Sequence, residues 1–395
     1  MTHRLYYTDP YRTSFDGTVV TVEPVDDRLH VVLDQTAFYP TSGGQPFDIG
    51  TLGGAAVIEV IDREDGTVAH VVSGTVTTGD VVSGAIDWAR RFDHMQQHTG
   101  QHLLSAAFDR LFGVRTASFH MGAAASSIDL AREVSATELE QAEDEANRIV
   151  WEDRLVHIRF ASAEEAAAMP LRKESLRTGP LRLIDVDHFD LSACGGTHVA
   201  RTGAIGVIAI GGAEKFRGGS RVAFLCGGRA LERFRLWRDS MAATQRHLSV
   251  APEEMAAAIE RMQAEAKTQQ KTLRGMQEKL ATHEAQGLIA KGTRAGARLV
   301  MAEALEGWDA QGLKAMAVAA AALDPAAAIA LFTTTAPPLV VIAKGPNGGI
   351  DAGAVLKELV AKFGGKGGGK PDLAQGGGLS GTSAELVAAA RALMS

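Results

Sequence analysis

The sequence predicts an α+β protein: a small N-terminal β-barrel, a mixed α+β domain, a helical arm and a C-terminal α/β unit. Three observations carry that expectation. Short Val- and Ile-rich runs fill the N-terminal region, helical spacing sets in at Asp93, and strands then mix with helices without a regular βαβ beat. The expected divisions are a barrel at 1–91, a mixed domain at 92–228, a helical or coiled-coil segment at 229–290 and a glycine-rich unit at 291–395.

Strands are expected at 18–22, 28–34, 55–60, 67–72 and 81–86, separated by turns such as Asp26-Asp27 and Asp65-Gly66. Short strands without a helical pattern make a small barrel or sandwich. From Asp93, residues Met95, His98, His102, Leu103 and Ala106 fall at helical spacing, and Gly113 is a stop. Strand 126–130 follows, then a helix opened by the capping box Ser135/Glu138. Strand 155–160 precedes a second such start, Ser162/Glu165, and strands at 181–186, 206–210 and 221–225 complete the domain.

After a helix at 230–248, positions Met255, Ile259, Met262, Ala266, Gln269, Leu273, Met276, Leu280 and His283 alternate steps of four and three. That is a heptad seam weakened by Gln269 and His283, and it predicts a helical hairpin or a coiled-coil arm, with a homodimer as one outcome. Buried strands at 327–333 and 339–343 and helices at 352–363 and 383–393 follow. Between those helices, the glycine-rich runs at 364–369 and 376–378 read as loops whose amides, with Lys366 and Lys370, can approach phosphates.

With 46% hydrophobic and 22% charged residues over 395, the chain is not disordered throughout. Two cysteines exclude a disulfide framework, and the absence of a leader-like or bilayer-spanning run predicts a soluble cytoplasmic protein. The net charge of −7 argues against a basic nucleic-acid coat, yet eight basic residues against two acids lie between Arg201 and Arg238. Such a local excess can bind phosphates or simply form a solvated face.

His98-Thr99-Gly100-Gln101-His102 places two imidazoles on one helix face. Zinc proteases share that spacing but need Glu after the first His, and Thr99 stands there. Cys194-Gly195-Gly196-Thr197-His198 supplies a thiolate and a third imidazole, making a tetrahedral zinc set of one ion per chain. Cys226 reads as a small core residue, and His94 as a neighbour of the site or an exposed group. The segment Thr41-Ser42-Gly43-Gly44-Gln45 offers short hydrogen-bonding groups beside close-approach glycines, or else an ordinary turn.

Together, Phe38-Tyr39-Pro40-Thr41-Ser42-Gly43-Gly44-Gln45-Pro46, the His98 and Cys194 segments, Phe119-His120-Met121-Gly122 and Ser126-Ser127-Ile128-Asp129-Leu130 resemble the editing domain of alanyl-tRNA synthetase. They equally resemble its freestanding AlaX-type relatives. Gly367-Gly368-Gly369-Lys370-Pro371-Asp372-Leu373-Ala374-Gln375-Gly376-Gly377 resembles the DHH-associated domain that ends those synthetases. Ser127 stands where the family pattern usually has Thr.

The resemblance implies a zinc-dependent hydrolase that removes serine, or glycine, from tRNA for alanine. The chain opens directly into the barrel, so aminoacylation is not expected. Within the segments that the resemblance gathers around the zinc, Thr41 is expected to sense serine's hydroxyl, Gln45 to position ester or water, and Ser127 to contribute weakly. Ser42, Gly43 and Gly44 are expected against substrate, and Lys366 and Lys370 against tRNA. A zinc-stabilised tRNA-binding module without hydrolysis is the alternative. The editing domain of threonyl-tRNA synthetase is disfavoured by the Ser42–Gln45 segment and the C-terminal glycines. A DHH phosphodiesterase lacks its aspartate-rich site here, because Met95 follows Asp93-His94.

Overall fold

The computed structural model describes residues 1–172 and 179–395, which form two compact units, Met1–Ala243 and Thr244–Ser395. In the first, Ser14–Val25 pairs with Arg28–Leu33, followed in order by Val68–Ser73, Ala55–Asp62, Gly50–Leu52 and Val81–Ile86. Val81–Ile86 pairs back to Ser14–Val25. The sheet therefore closes as a barrel, which removes the open edges a sandwich would keep. Alternating residues such as Val31, Leu33, Leu52, Val57 and Val72 fill its interior. The strand Gly50–Leu52 escaped the sequence pattern, since three residues flanked by glycine carry no readable alternation.

The stretch between the barrel strands Arg28–Leu33 and Gly50–Leu52 carries buried Phe38 and Tyr39 at one end and buried Asp48 at the other. Between them, Ser42 and Gln45 bridge across Gly43 and Gly44, both at positive φ. A Cβ on Gly44 would stand 2.7 Å from the Phe119 carbonyl, so only glycine lets this bend lie against strand Thr116–Met121.

The helix Trp88–Phe112 starts earlier than its spacing announced, because the Asp87 side chain accepts the Arg90 N–H and caps it; Gly113 in the left-handed region ends it. Most of its length from Met95 to Phe108 is buried. It packs with the capped helix Ala136–Trp151 against a four-stranded sheet ordered Ile208–Phe216, Gly219–Cys226, Ser126–Leu130 and Thr116–Met121. Both expected capping boxes form in full. A smaller antiparallel sheet, Val156–Ala161, Leu181–Val186 and Asp190–Ala193, delivers the chain to Cys194.

In the second unit, the helix Met255–Ala290 is formed, but seam residues Ile259, Met262, Leu273, Met276 and Leu280 are exposed. Its C-terminal Ala281, Ala285 and Leu288 pack into a core with the helix Ala310–Leu323. The sheet runs Thr293–Ala295, Arg298–Leu305, Ala327–Thr333, Leu339–Lys344, Leu373–Gly377 and Lys366–Gly369, with the second and third strands parallel. The glycine-rich runs were expected as loops. Instead, Lys366–Gly369 pairs antiparallel with Leu373–Gly377 as a hairpin on the sheet edge, leaving Lys366 and Lys370 exposed. Pairing with a formed sheet outweighed glycine's weak strand preference. Among the described residues no helix is long and apolar enough to cross a membrane.

Candidate metal centre

His98 and His102 project one turn apart from the buried helix, while Cys194 and His198 come from the loop after Asp190–Ala193. The four ligating atoms lie within 4.8 Å of one another. Cys194 Sγ is 3.4 Å from His98 Nε2 and 3.3 Å from His198 Nε2. Gly196 makes the approach feasible, because a Cβ there would stand 2.2 Å from the His98 ring.

The outward nitrogens decide which ring atoms face inward. His98 Nδ1 bonds Gln45 Oε1 at 2.8 Å, His102 Nδ1 bonds Asp190 Oδ2 at 2.9 Å, and His198 Nδ1 bonds Thr99 Oγ1 at 3.2 Å. Acceptors at all three Nδ1 positions hold the proton there and turn each Nε2 lone pair into the cluster. Each acceptor is itself fixed. Gln45 Oε1 also takes the Thr197 N–H while its amide donates to Thr197 Oγ1. Thr99 donates to the Met95 carbonyl. Asp190 is held by Arg172 at 2.6 Å and by Ser192.

The protonation states suit ligation. Burial, reinforced by the charge of Arg182, pushes the His98 imidazole down to about 3. Burial and then the neighbouring His98, His102 and Arg182 press His198 well below its ordinary value. Burial alone would raise Asp190, but the His102 hydrogen bond and the Arg172 charge hold its carboxyl well below the usual range. Imidazoles turned inward by oriented acceptors, with one thiol beside them, suit a bound metal. The residues therefore fit a tetrahedral metal ion.

His98, His102 and Cys194 line a cavity of about 650 Å³, to which Tyr39, Ser42 and Gly43 contribute from the barrel side. The other expected site residues distribute unevenly. Gln45 is fully buried behind His98, where its amide oxygen accepts from the Thr197 N–H and meets His98 Nδ1 and its amide nitrogen donates to Thr197 Oγ1. Thr41 is exposed and outside the cavity lining, and its hydroxyl accepts the Phe47 N–H at 3.2 Å. Ser127 is half-buried on its strand opposite His120 and Ala223, also outside the lining. Gly44 lies outside the lining, its carbonyl accepting the Met121 N–H. Lys366 and Lys370 belong to the second unit.

Cys226 is a core residue whose thiol burial pushes well up, and His94 is buried rather than exposed and stands outside the cluster. Sequence reasoning passed over Asp190, Arg172 and Arg182. It also set Thr99 aside as a residue that merely was not Glu. Thr99 and Asp190 act on ligands far along the chain, His198 and His102, so local spacing does not mark them.

Three family models match the chain: tRNA synthetases class II (A) at 14–90, the threonyl and alanyl tRNA synthetase second additional domain at 181–223, and the DHHA1 domain at 296–395. With the closed barrel and the His/Cys centre, they define a protein of the synthetase-related editing class. An alanyl-tRNA editing protein AlaX-L from Pyrococcus horikoshii is 30% identical over 95% of this chain and 94% of its own length. The chain belongs to that AlaX-L family of alanyl-tRNA editing proteins. Alanine–tRNA ligases from Pyrococcus abyssi and Halobacterium salinarum are 32% and 36% identical over 95% of the chain, which spans 42% of each ligase. The crystal structure of the C-Ala domain from Aquifex aeolicus alanyl-tRNA synthetase is a distant likeness, 21% identical at a TM-score of 0.25, covering 26% of this chain and 97% of that one.

Proposed function

We propose that the protein hydrolyses mischarged tRNA for alanine, releasing serine and also glycine, with one zinc ion per chain and without aminoacylating. The observation that carries this reading is the oriented set of His98, His102, Cys194 and His198 opening onto a cavity, in a chain of the AlaX-L family. Zinc is favoured over magnesium or calcium by a thiolate and three imidazoles. A bound zinc supplies Lewis acidity.

The chain's own residues do the positioning. Gln45 orients His98, Thr99 orients His198, and Asp190 with Arg172 orients His102. Ser42 and Gly43 face the substrate. Lys366 and Lys370, exposed at the edge hairpin, are proposed contacts to tRNA phosphates, and the exposed seam of Met255–Ala290 is the surface through which a homodimer would form.

Turnover of seryl-tRNA by the full chain, with and without a chelator, tests the function. Hydrolysis that stops on chelation and returns with zinc is the expected result. Tight binding of seryl-tRNA without release of serine would instead identify the zinc-stabilised binding module. Thr41 lies outside the cavity lining, and its hydroxyl accepts the Phe47 N–H. Thr41→Val is therefore expected to lower hydrolysis of seryl- and glycyl-tRNA alike, through the loss of one turn hydrogen bond worth about 1 kcal/mol. A loss confined to seryl-tRNA would restore Thr41 as the sensor.

A further inference from the structure

The small sheet that delivers Cys194 also carries Phe160, on the strand Val156–Ala161. Phe160 stands opposite Arg182 in the register, and the Arg182 carbonyl accepts the Cys194 N–H at 3.0 Å. Paired residues on neighbouring strands project to the same face, and the strands lie about 4.8 Å apart. Phe160, Arg182 and Cys194 therefore form a row across one face, with about 10 Å of sheet between the phenyl and the thiol. All three residues line the cavity.

Five aromatic rings line that cavity: Tyr6, Tyr7, Tyr39, Phe119 and Phe160. Four are committed. Tyr6 packs edge-on against Tyr7 at 5.0 Å and Tyr39 at 5.3 Å between ring centres, and Phe119 stacks on the His98 imidazole at 5.4 Å. Among the described residues Phe160 has no ring or guanidinium against it, and it is 55% exposed. A single exposed phenyl is ordinary on an outer surface, but this one is set in the wall of the metal cavity. A second groove, of about 890 Å³, shares Arg4, Tyr7, Asp62 and Phe160 with the cavity, so the ring stands where the two spaces meet. The cations nearby are already neutralised, Arg4 by Asp62, Arg63 by Glu23 and Arg172 by Asp190. The junction thus offers a flat apolar face, which suits a neutral base better than a phosphate.

We propose that Phe160 is the stacking platform for the terminal adenine of the aminoacyl-tRNA, an inference that rests on the editing function proposed above. With the ester at the metal centre, the ribose lies between thiol and phenyl, and the adenine covers the exposed face of the ring. The cavity has the volume of an ordinary small-ligand site, and the joined groove receives the nucleotides that precede the adenosine. Stacking uses the π-face that every base has, so Phe160 holds the acceptor end without reading sequence. Such a contact is made equally before and during bond breaking, so it acts on binding and not on the chemical step.

The test uses the full chain with Phe160→Ala and Phe160→Trp. The probes are hydrolysis-resistant, amide-linked seryl-adenosine and the same seryl-ribose without its base. Phe160→Ala is expected to bind seryl-adenosine about 10- to 100-fold more weakly than wild type, with binding of seryl-ribose unchanged. Its KM for seryl-tRNA should rise while kcat moves by less than about threefold. Phe160→Trp keeps a flat ring and should stay within about threefold of wild type on both probes.

Undiminished binding of seryl-adenosine by Phe160→Ala would overturn the proposal. So would equal losses on both probes, which would make the ring a wall of the cavity and not a platform for a base. A loss seen only when two cytidines precede the adenosine would assign the ring to an upstream base. A change in oligomeric state with probe binding intact would assign it to a protein contact. Either result also overturns the proposal. A wild-type chain that fails to hydrolyse seryl-tRNA would instead overturn the editing function itself, a loss present before any substitution.

Discussion

Cys194→Ala is expected to lose both the metal and the hydrolysis, and added zinc should restore neither. The thiolate is the only anionic ligand of the four, and alanine offers no donor in its place. Burial opposes ionisation of this thiol, but the His102 imidazole, the Gly196 N–H and the Arg182 charge outweigh it and lower the thiol below its ordinary value. Removing an orienting partner alone weakens metal binding about 10- to 100-fold, so removing a ligand should cost more than that. Gln45→Ala gives the graded comparison. It frees His98 Nδ1 while leaving all four ligands in place, so affinity should fall within that range and excess zinc should recover turnover. Metal content measured after dialysis against a chelator separates the two variants. One zinc per chain in Cys194→Ala would show that the thiol is not a ligand.

The same comparison marks the boundary between what the sequence disclosed and what it concealed. His98 and His102 could be paired by eye because an α-helix repeats every 3.6 residues, and Cys194 and His198 because a short glycine loop keeps them together. The capping boxes at Ser135 and Ser162 were legible for the same reason, as both partners lie within one turn. Gln45, by contrast, lies 53 residues from His98, and Asp190 lies 88 from His102. No periodicity links such positions, and only the closed barrel and the small sheet bring them to the helix. Thr41 stands outside the cavity lining while its neighbours Ser42 and Gly43 line it, a difference that residue type within a segment does not disclose. The glycine-rich hairpin was hidden differently. Its local preference is for turns, and the edge of a formed sheet overrode it.

How the barrel is held to the metal helix leads to the largest stability effect. Arg91 and Asp48 are both fully buried, with Arg91 Nε 3.0 Å from Asp48 Oδ1 and Nη2 bonded to Oδ2. Arg91 also donates to the carbonyls of Pro10 and Ala37, and Asp48 accepts the Tyr39 N–H at 2.6 Å. One guanidinium on the helix that carries His98 and His102 therefore gathers three segments of the N-terminal region, including both ends of the stretch that presents Ser42, Gly43 and Gln45. Asp48→Ala would strand a buried cation and free the Tyr39 N–H as well. Breaking such a pair from one side costs about 3–5 kcal/mol, which in a unit of this size lowers Tm by on the order of 10 °C. Because Gln45 hangs from the same stretch, metal affinity should fall with it. Replacing both partners, as Asp48→Leu with Arg91→Met, removes the stranded charge and should recover much of the stability without recovering the metal affinity. The decisive result is the melting temperature of Asp48→Ala measured on the full chain. A value within about 2 °C of wild type would mean that less than about 1 kcal/mol was lost, and that the clamp does not hold the barrel to the helix.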